Sequence, residues 1–260
     1  MSEQSAPDYV AGHQLLADKV VVVTAAAGAG IGAAVVRRCL EEGARLVVLG
    51  DTHERRLAEA VTALSDEFGR DRVRGQVCDV TDEAHVQGLF DLAGEFDVLI
   101  NNAGLGGTAS ILDMTDAEWQ RVLDITLTGT MRCTRAAGNR FVQWGRPGVI
   151  INNASVIGWR AQEGQAHYAA AKAGVMALTR CSAMDLAPHG IRVNAVSPSL
   201  AMHPFLEKVT SPKLLAELTS REAFNRAAQP WEVANVMVFL ASDYSSYLTG
   251  EVLSVSSQHA

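Results

Sequence analysis

The sequence predicts an α/β fold: a doubly wound parallel sheet of seven strands flanked by helices, in a single domain. Three observations carry this. Short β-branched runs alternate with longer segments of helical period along nearly the whole chain. Strands separated in this way by helices imply right-handed crossovers and a parallel sheet covered on both faces. No Pro/Gly/Ser linker, composition break or internal repeat interrupts the series.

In order, residues 1–17 are polar and aperiodic and read as an N-terminal arm, leaving 18–260 as the domain. The strand 20–24 runs through a small-residue loop into a helix at 31–42. A strand at 45–49 precedes a helix at 54–68, and one at 73–77 precedes a helix at 82–94. The short strand 98–100 leads to a long helical stretch, 116–140. Strand 148–152 is followed by a helix at 165–186, and strands at 192–196 and 252–255 complete the sheet. Between the last two, segment 200–228 mixes apolar Met202, Phe205, Leu206, Leu214, Leu215 and Phe224 with basic Lys208, Lys213, Arg221 and Arg226. It suits a lid over an apolar substrate, and equally an amphipathic cover over the core.

The 260 residues carry a net charge of −7 and are 48% hydrophobic. That balance, with no basic run longer than two, argues against a nucleic-acid partner. The longest apolar runs are too short to span a bilayer, and the first residues show no signal-peptide pattern, so no membrane partner and a cytoplasmic location are expected. Cysteines 39, 78, 133 and 181 lie far apart without ligand spacing. They read as small buried hydrophobes in a reducing compartment, and no metal is expected.

In such a sheet ligands sit beyond the carboxyl ends of the strands, so the residues there matter most. Thr24–Gly32 could cradle a phosphate against a helix N-terminus, or simply let helix and strand pack closely. Asp51 can accept both ribose hydroxyls of NAD and repel a 2′-phosphate, or cap the helix behind it. No base lies in the loop, which favours NAD; Arg55 and Arg56 are near enough to keep NADP in view. Asp79 and Val80 follow the third strand, where the carboxylate reaches an adenine edge or caps the next helix. Asn101-Asn102-Ala103-Gly104 ends the fourth strand, its amides suited to tying strand ends and its Ala-Gly leaving room for a ribose.

Tyr168 and Lys172 stand four apart on a helical segment and share a face. A free phenol ionises at about pH 10, so a tyrosine base working at about pH 7–8 needs about 3–4 kcal/mol of help. A neighbouring ammonium and an oxidised nicotinamide both act in that direction. Ser155, just past the fifth strand, has a hydroxyl placed to hold a substrate oxygen.

Together these motifs resemble the short-chain dehydrogenase/reductase family over about residues 16–256: Thr24–Gly32, Asp79-Val80, Asn101 to Gly104, Ser155, Tyr168-x-x-x-Lys172 and Asn194 to Pro198. The resemblance implies a Rossmann-type fold and hydride exchange between NAD, or NADP, and an alcohol/ketone pair. It makes Tyr168 the general acid/base, Ser155 the holder of the substrate oxygen, and Lys172 the residue that holds the ribose and lowers the tyrosine. Its cofactor contacts fall on Ala26, Gly28, Gly30, Ile31, Asp51, Asp79, Val80, Asn102, Ala103, Gly104, Lys172, Pro198, Ala201 and His203. It also implies a homo-oligomer, tetramer or dimer, through the helices at 116–140 and 165–186.

Four positions depart from the family pattern. Thr126 replaces the usual Asn of the proton relay, where its main-chain carbonyl can still serve. Ser199 follows Pro198, His203 replaces a Thr, and residues 254–258 lack an Asp-Gly-Gly. No second ligand stands near His203 to make it a metal site. Within the family, NNASVIGWRAQ, HYAAAKAGVMALTR and ASDYSSYLTGEV resemble the branch acting on bicyclic indane acyl-CoA intermediates of bacterial steroid (cholesterol) ring degradation. The implied substrate is a small molecule carried as a CoA thioester; 3-oxoacyl-thioester or sugar-alcohol reduction is the alternative, and a catalytically silent cofactor sensor the alternative of another class. Finally, the loop fits two registers: Gly28-x-Gly30-x-x-Ala33, or a lengthened GxxxGxG anchored on Gly30-Ile31-Gly32 with Ala26 in the first position. The second is preferred, and it predicts a positive φ at Gly28 or a close neighbour.

Overall fold

The computed structural model describes residues 9–202 and 211–257. Seven strands form one sheet: β1 (Val20–Thr24), β2 (Leu46–Asp51), β3 (Val73–Val77), β4 (Val98–Asn101), β5 (Gly148–Asn153), β6 (Ile191–Pro198) and β7 (Val252–Val255). Their order is β3-β2-β1-β4-β5-β6-β7, with every neighbouring pair parallel. Each predicted strand is present, its ends moved by two residues at most. β1 reads Val-Val-Val-Val-Thr and is buried throughout, because helices cover both faces of the sheet.

The helices are α1 (Ile31–Glu41), α2 (Glu54–Phe68), α3 (Glu83–Ala93), α4 (Asp116–Leu123), α5 (Gly129–Trp144), α6 (Ala166–Leu186), α7 (Pro212–Ser220) and α8 (Pro230–Ala241). On one face α1, α2 and α8 bury Val35, Leu57, Val233 and Met237 against Val21, Val23 and Val47. On the other, α3, α5 and α6 bury Leu89, Phe90, Phe141 and Ala183 against Val22, Leu99 and Ile150. Strand order reverses between β1 and β4, which opens a crevice above their carboxyl ends.

The predicted helix 116–140 is one rod with an inserted π turn, Asp124–Thr128, between α4 and α5. A capping box of Thr115 and Glu118 starts it, and Gly145 at φ +63° ends it. Asp82 is the N-cap of α3, accepting Ala84 N–H and His85 N–H. Asp79 accepts from Thr81 instead, so capping that helix is not its role.

Residues 9–18 lie across the end of α1. Glu42, fully buried, accepts His13 N–H and Leu15 N–H and pairs with buried Arg38, which donates to the Val10 carbonyl. Beyond β6, a bridge between Ala201 and Ala228 draws together the two ends of the excursion that contains α7. Among the described residues no helix is long and apolar enough to cross a membrane.

Candidate active site

The loop after β1 is held from three sides. Thr24 Oγ1 accepts Asn102 N–H and Ala103 N–H, both at 3.0 Å. Asn102 Nδ2 in turn donates to the Thr24 carbonyl at 3.2 Å and the Ala25 carbonyl at 3.0 Å. Ala26 N–H reaches the Gly50 carbonyl, and Ala27 N–H reaches Asp51 Oδ2 at 3.0 Å. Gly28 and Ala29 form its exposed crest, and Gly30 caps α1 with no side chain over the first turn's amides.

Positive φ appears at Ala25, +50°, and not at Gly28. The strained residue is thus the close neighbour on the strand side, as the expectation of a positive φ at Gly28 or near it allowed. The cause is local. Ala25 must turn its carbonyl to Asn102 while Ala26 and Ala27 bend toward β2. Gly32 is where α1 meets this loop: a Cβ there would stand 2.2 Å from the Ala25 oxygen and 2.5 Å from Asn102 Nδ2.

Asp51, at the end of β2 and 7% exposed, accepts Ala27 N–H through Oδ2 and His53 N–H through Oδ1, the latter at 3.0 Å. His53, not Asp51, is the N-cap of α2. Val80 is buried beneath Gly129, and its carbonyl accepts Arg132 Nη1 at 2.6 Å. Pro198 ends β6 and Ala201 forms the bridge to Ala228. His203 lies outside the described residues.

On the far side of the crevice, Ser155 follows β5 and caps a short turn, Val156–Gly158, by accepting Ile157 N–H. That turn packs so closely on α6 that a Cβ on Gly158 would stand 3.0 Å from Ala173 N. The close packing sets Ser155 against Tyr168, in the first turn of α6, and their hydroxyls share a hydrogen bond. Burial pushes the Tyr168 phenol up to about 12, a shift the Ser155 bond opposes. Lys172 is 2% exposed, and burial pushes its ammonium down to about 8. Its Nζ donates to the Asn153 carbonyl at 2.5 Å and stands 5.5 Å from the Tyr168 ring centre. The protein alone therefore moves the phenol away from neutral pH.

Thr126, wholly buried within the π turn, fastens the loop beside Lys172. Its Oγ1 accepts Leu105 N–H at 3.0 Å and lies 3.3 Å from the Leu105 carbonyl. Its own carbonyl accepts Thr130 Oγ1 at 2.8 Å. A Cβ on Gly104 would stand 3.3 Å from Lys172 Nζ, so the floor there is open only because the residue is glycine.

Sequence reasoning did not single out Asn153, although its signal was visible in paired asparagines at two adjacent strand ends. Asn101 Nδ2 donates to Asn152 Oδ1 at 2.9 Å, and Asn152 Nδ2 to Thr179. On the opposite face Asn153 Nδ2 donates to Asn102 Oδ1 at 3.0 Å. The set has the chemistry to hold a dinucleotide: small residues and free helix amides for a pyrophosphate, a carboxylate at β2 for a ribose, and Lys172 above a glycine floor for the second ribose. No group of three or more metal-ligating side chains occurs among the described residues.

Comparison with known proteins places the whole chain. Residues 25–257 match the family model described as enoyl-(acyl carrier protein) reductase. The chain is 60% identical over the whole of both chains to the (5R,7aS)-5-hydroxy-7a-methyl-1-oxo-2,3,5,6,7,7a-hexahydro-1H-indene-carboxyl-CoA reductase of Mycobacterium tuberculosis. It is 40% identical to the cis-4-hydroxycyclohexanecarboxylate dehydrogenase of Sinomonas cyclohexanicum, over 93% of this chain and 96% of that one. A crystal structure of a short-chain dehydrogenase from Mycobacterium smegmatis superposes with a TM-score of 0.86 at 55% identity, covering 98% of this chain and 99% of the other. The parallel seven-stranded sheet, the strand-end motifs and these full-length matches together make the chain a member of the short-chain dehydrogenase/reductase family of NAD(P)-dependent oxidoreductases.

Proposed function

We propose that the chain interconverts a ring secondary alcohol and its ketone on a bicyclic indane carried as a CoA thioester, with NAD(H) as cofactor. The observation that carries the substrate class is the 60% identity, over full length, to a reductase whose name specifies an indene-carboxyl-CoA. The bound nicotinamide supplies or accepts the hydride. Around it, Ser155 holds the substrate oxygen and Tyr168 gives that oxygen its proton during reduction, or removes it during oxidation. Both hydroxyls converge on one point, which their mutual hydrogen bond marks.

Lys172 acts on the phenol through charge. Burial alone holds Tyr168 near 12, so the downward pull comes from the Lys172 ammonium and the positive charge of the oxidised ring. Thr126 takes the place of the usual relay asparagine by fixing Leu105, with its main-chain carbonyl serving the relay. Asp51 disfavours NADP, since a 2′-phosphate would meet a carboxylate already anchored by two amides. Gly28, Gly30, Ile31 and Ala26 take the pyrophosphate side, Asp79 and Val80 the adenine side, Asn102, Ala103 and Gly104 the ribose. Pro198, Ala201 and His203 take the carboxamide.

The segment 200–228 serves as the lid and 1–17 as an arm. A homo-oligomer, dimer or tetramer, forms through α4, α5 and α6, where Met184 is 76% exposed. The free cysteines suit a cytoplasmic protein. An assay with NAD+, NADP+ and their reduced forms, against hydroxy- and oxo-indane carboxyl-CoAs beside short 3-hydroxyacyl-CoAs, tests the reading. Turnover of the short thioesters alone would overturn the substrate class.

A further inference from the structure

Asn153 stands between two parts of the site that the proposed chemistry uses together. Its main-chain carbonyl is the acceptor for Lys172 Nζ, at 2.5 Å. Its side-chain Nδ2 donates to Asn102 Oδ1, at 3.0 Å. Asn102 Nδ2 then donates to the carbonyls of Thr24 and Ala25, at 3.2 and 3.0 Å. Ala25 is the loop residue held at φ +50°. An unbroken path of hydrogen bonds therefore runs from the strained start of the phosphate loop to the ammonium of Lys172.

Two features argue that this path does more than close the sheet. The sheet's own closure at these strand ends is made on the opposite face, where Asn101, Asn152, Thr134 and Thr179 form a separate buried ladder. And Asn153 Oδ1 is buried without a partner. The same holds for Asn101 Oδ1 on the other face; an apolar side chain of that size would fill either space without that penalty. What the asparagine adds is its donor, aimed at Asn102.

We infer that Asn153 is a positioning residue that couples the conformation of the phosphate-binding loop to the placement of Lys172. The inference rests on the reading of Lys172 and the loop given above. A ligand that draws the Ala25–Gly28 loop into place shifts Asn102, Asn102 holds the end of β5 through Asn153, and the end of β5 carries the carbonyl that fixes the ammonium. In the reverse direction a well-seated Lys172 favours the bound form of the loop, since coupling between two sites is reciprocal.

The test is a double-mutant cycle on Asn153→Ala and Asn102→Ala, read by NADH titration and by the pH profile of ketone reduction. Each single variant is expected to weaken NADH about tenfold, and the double variant no more than about twofold beyond either single, because both break the same path. Asn153→Ala is also expected to move the alkaline limb of kcat toward higher pH. A loosened carbonyl stabilises the ammonium less, so Lys172 loses its proton earlier and the Tyr168 phenol, no longer pulled down, keeps the proton it gives to the ketone. Asn153→Ser, too short to reach Asn102, should reproduce both effects and serves if the alanine variant is poorly soluble. Unchanged NADH affinity in the Asn153 variants, losses that simply multiply, or an unmoved pH limb would each overturn the coupling. NADH titration needs no substrate, so a chain inactive on indane thioesters would refute the substrate reading and leave this cycle readable.

Discussion

Tyr168 and Asp51 each make a demand that a single substitution can check. The Tyr168 hydroxyl meets Ser155 on a half-buried ring, and its removal leaves the ring and its packing in place. Tyr168→Phe is expected to lower kcat by about 10²–10⁴, the range for losing a general acid/base. NADH affinity should stay within about twofold, because the hydroxyl faces substrate. Turnover that survives this change would mean another group moves the proton. Asp51 has a second duty that its position at the end of β2 did not reveal: its two oxygens hold Ala27 and His53 amides. Asp51→Ala should therefore both weaken NADH and relax rejection of NADPH. Asp51→Asn, which keeps acceptor geometry on one side but drops the charge, should relax NADPH rejection with a smaller loss of NADH. Dissociation constants for both cofactors across the two variants separate charge from scaffolding.

At the scale of the element, the loop between β1 and α1 shows what a glycine pattern says and what it withholds. Of Gly28 and Gly32, which flank this loop's Ala29-Gly30-Ile31, only Gly32 is forced by close approach. Gly28→Ala meets nothing closer than 3.9 Å and should change the thermal midpoint little. Gly32→Ala would press a Cβ onto backbone oxygen at 2.2 Å and should cost more than about 2 kcal/mol, read by denaturant unfolding. Ala25→Gly, by relieving a left-handed alanine, should be neutral or stabilising by up to about 1 kcal/mol. Equal effects at positions 28 and 32 would mean the loop is anchored elsewhere. The alternating pattern made all seven strands legible, most plainly β1, β2 and β4, where burial on both faces leaves a β-branched signature, while the edge strands β3 and β7 are partly exposed. Ser155, Tyr168 and Lys172 were legible too, since strand end and helix spacing are local properties. Less visible were the π turn at Thr126, the strain at Ala25 and the bridge through Asn153. Each depends on which carbonyl faces which donor once three elements meet, and no local period records that.

For the molecule as a whole, the buried pair Tyr168 and Lys172 leaves a mark on stability that runs against its proposed role. Burial moves Lys172 down from 10.5 to about 8. Between those values the unfolded chain holds a proton here that the folded chain has released, so folding stability rises as pH rises through that window. Below about pH 8 the penalty for burying the ammonium is fully in force, about 3 kcal/mol. Tyr168 works in the opposite sense. Its phenol, raised from 10.0 to about 12, favours the folded state below about pH 10 and loses that contribution as pH climbs through 12. The hydrogen bond from Lys172 to the Asn153 carbonyl holds that cost below what an unpartnered ammonium would carry. Lys172→Met, of similar length and without charge, is therefore expected to raise the thermal midpoint by about 2–4 °C at pH 7 in buffer without cofactor. The same variant should abolish turnover. As pH rises past 8 the difference should shrink, and by about pH 10 it should reverse, because the wild-type lysine is then neutral and still donates to Asn153. Thermal unfolding of both proteins from pH 6 to 10.5 checks this. A midpoint difference that stays constant across the range would show that the buried lysine is not the group setting it.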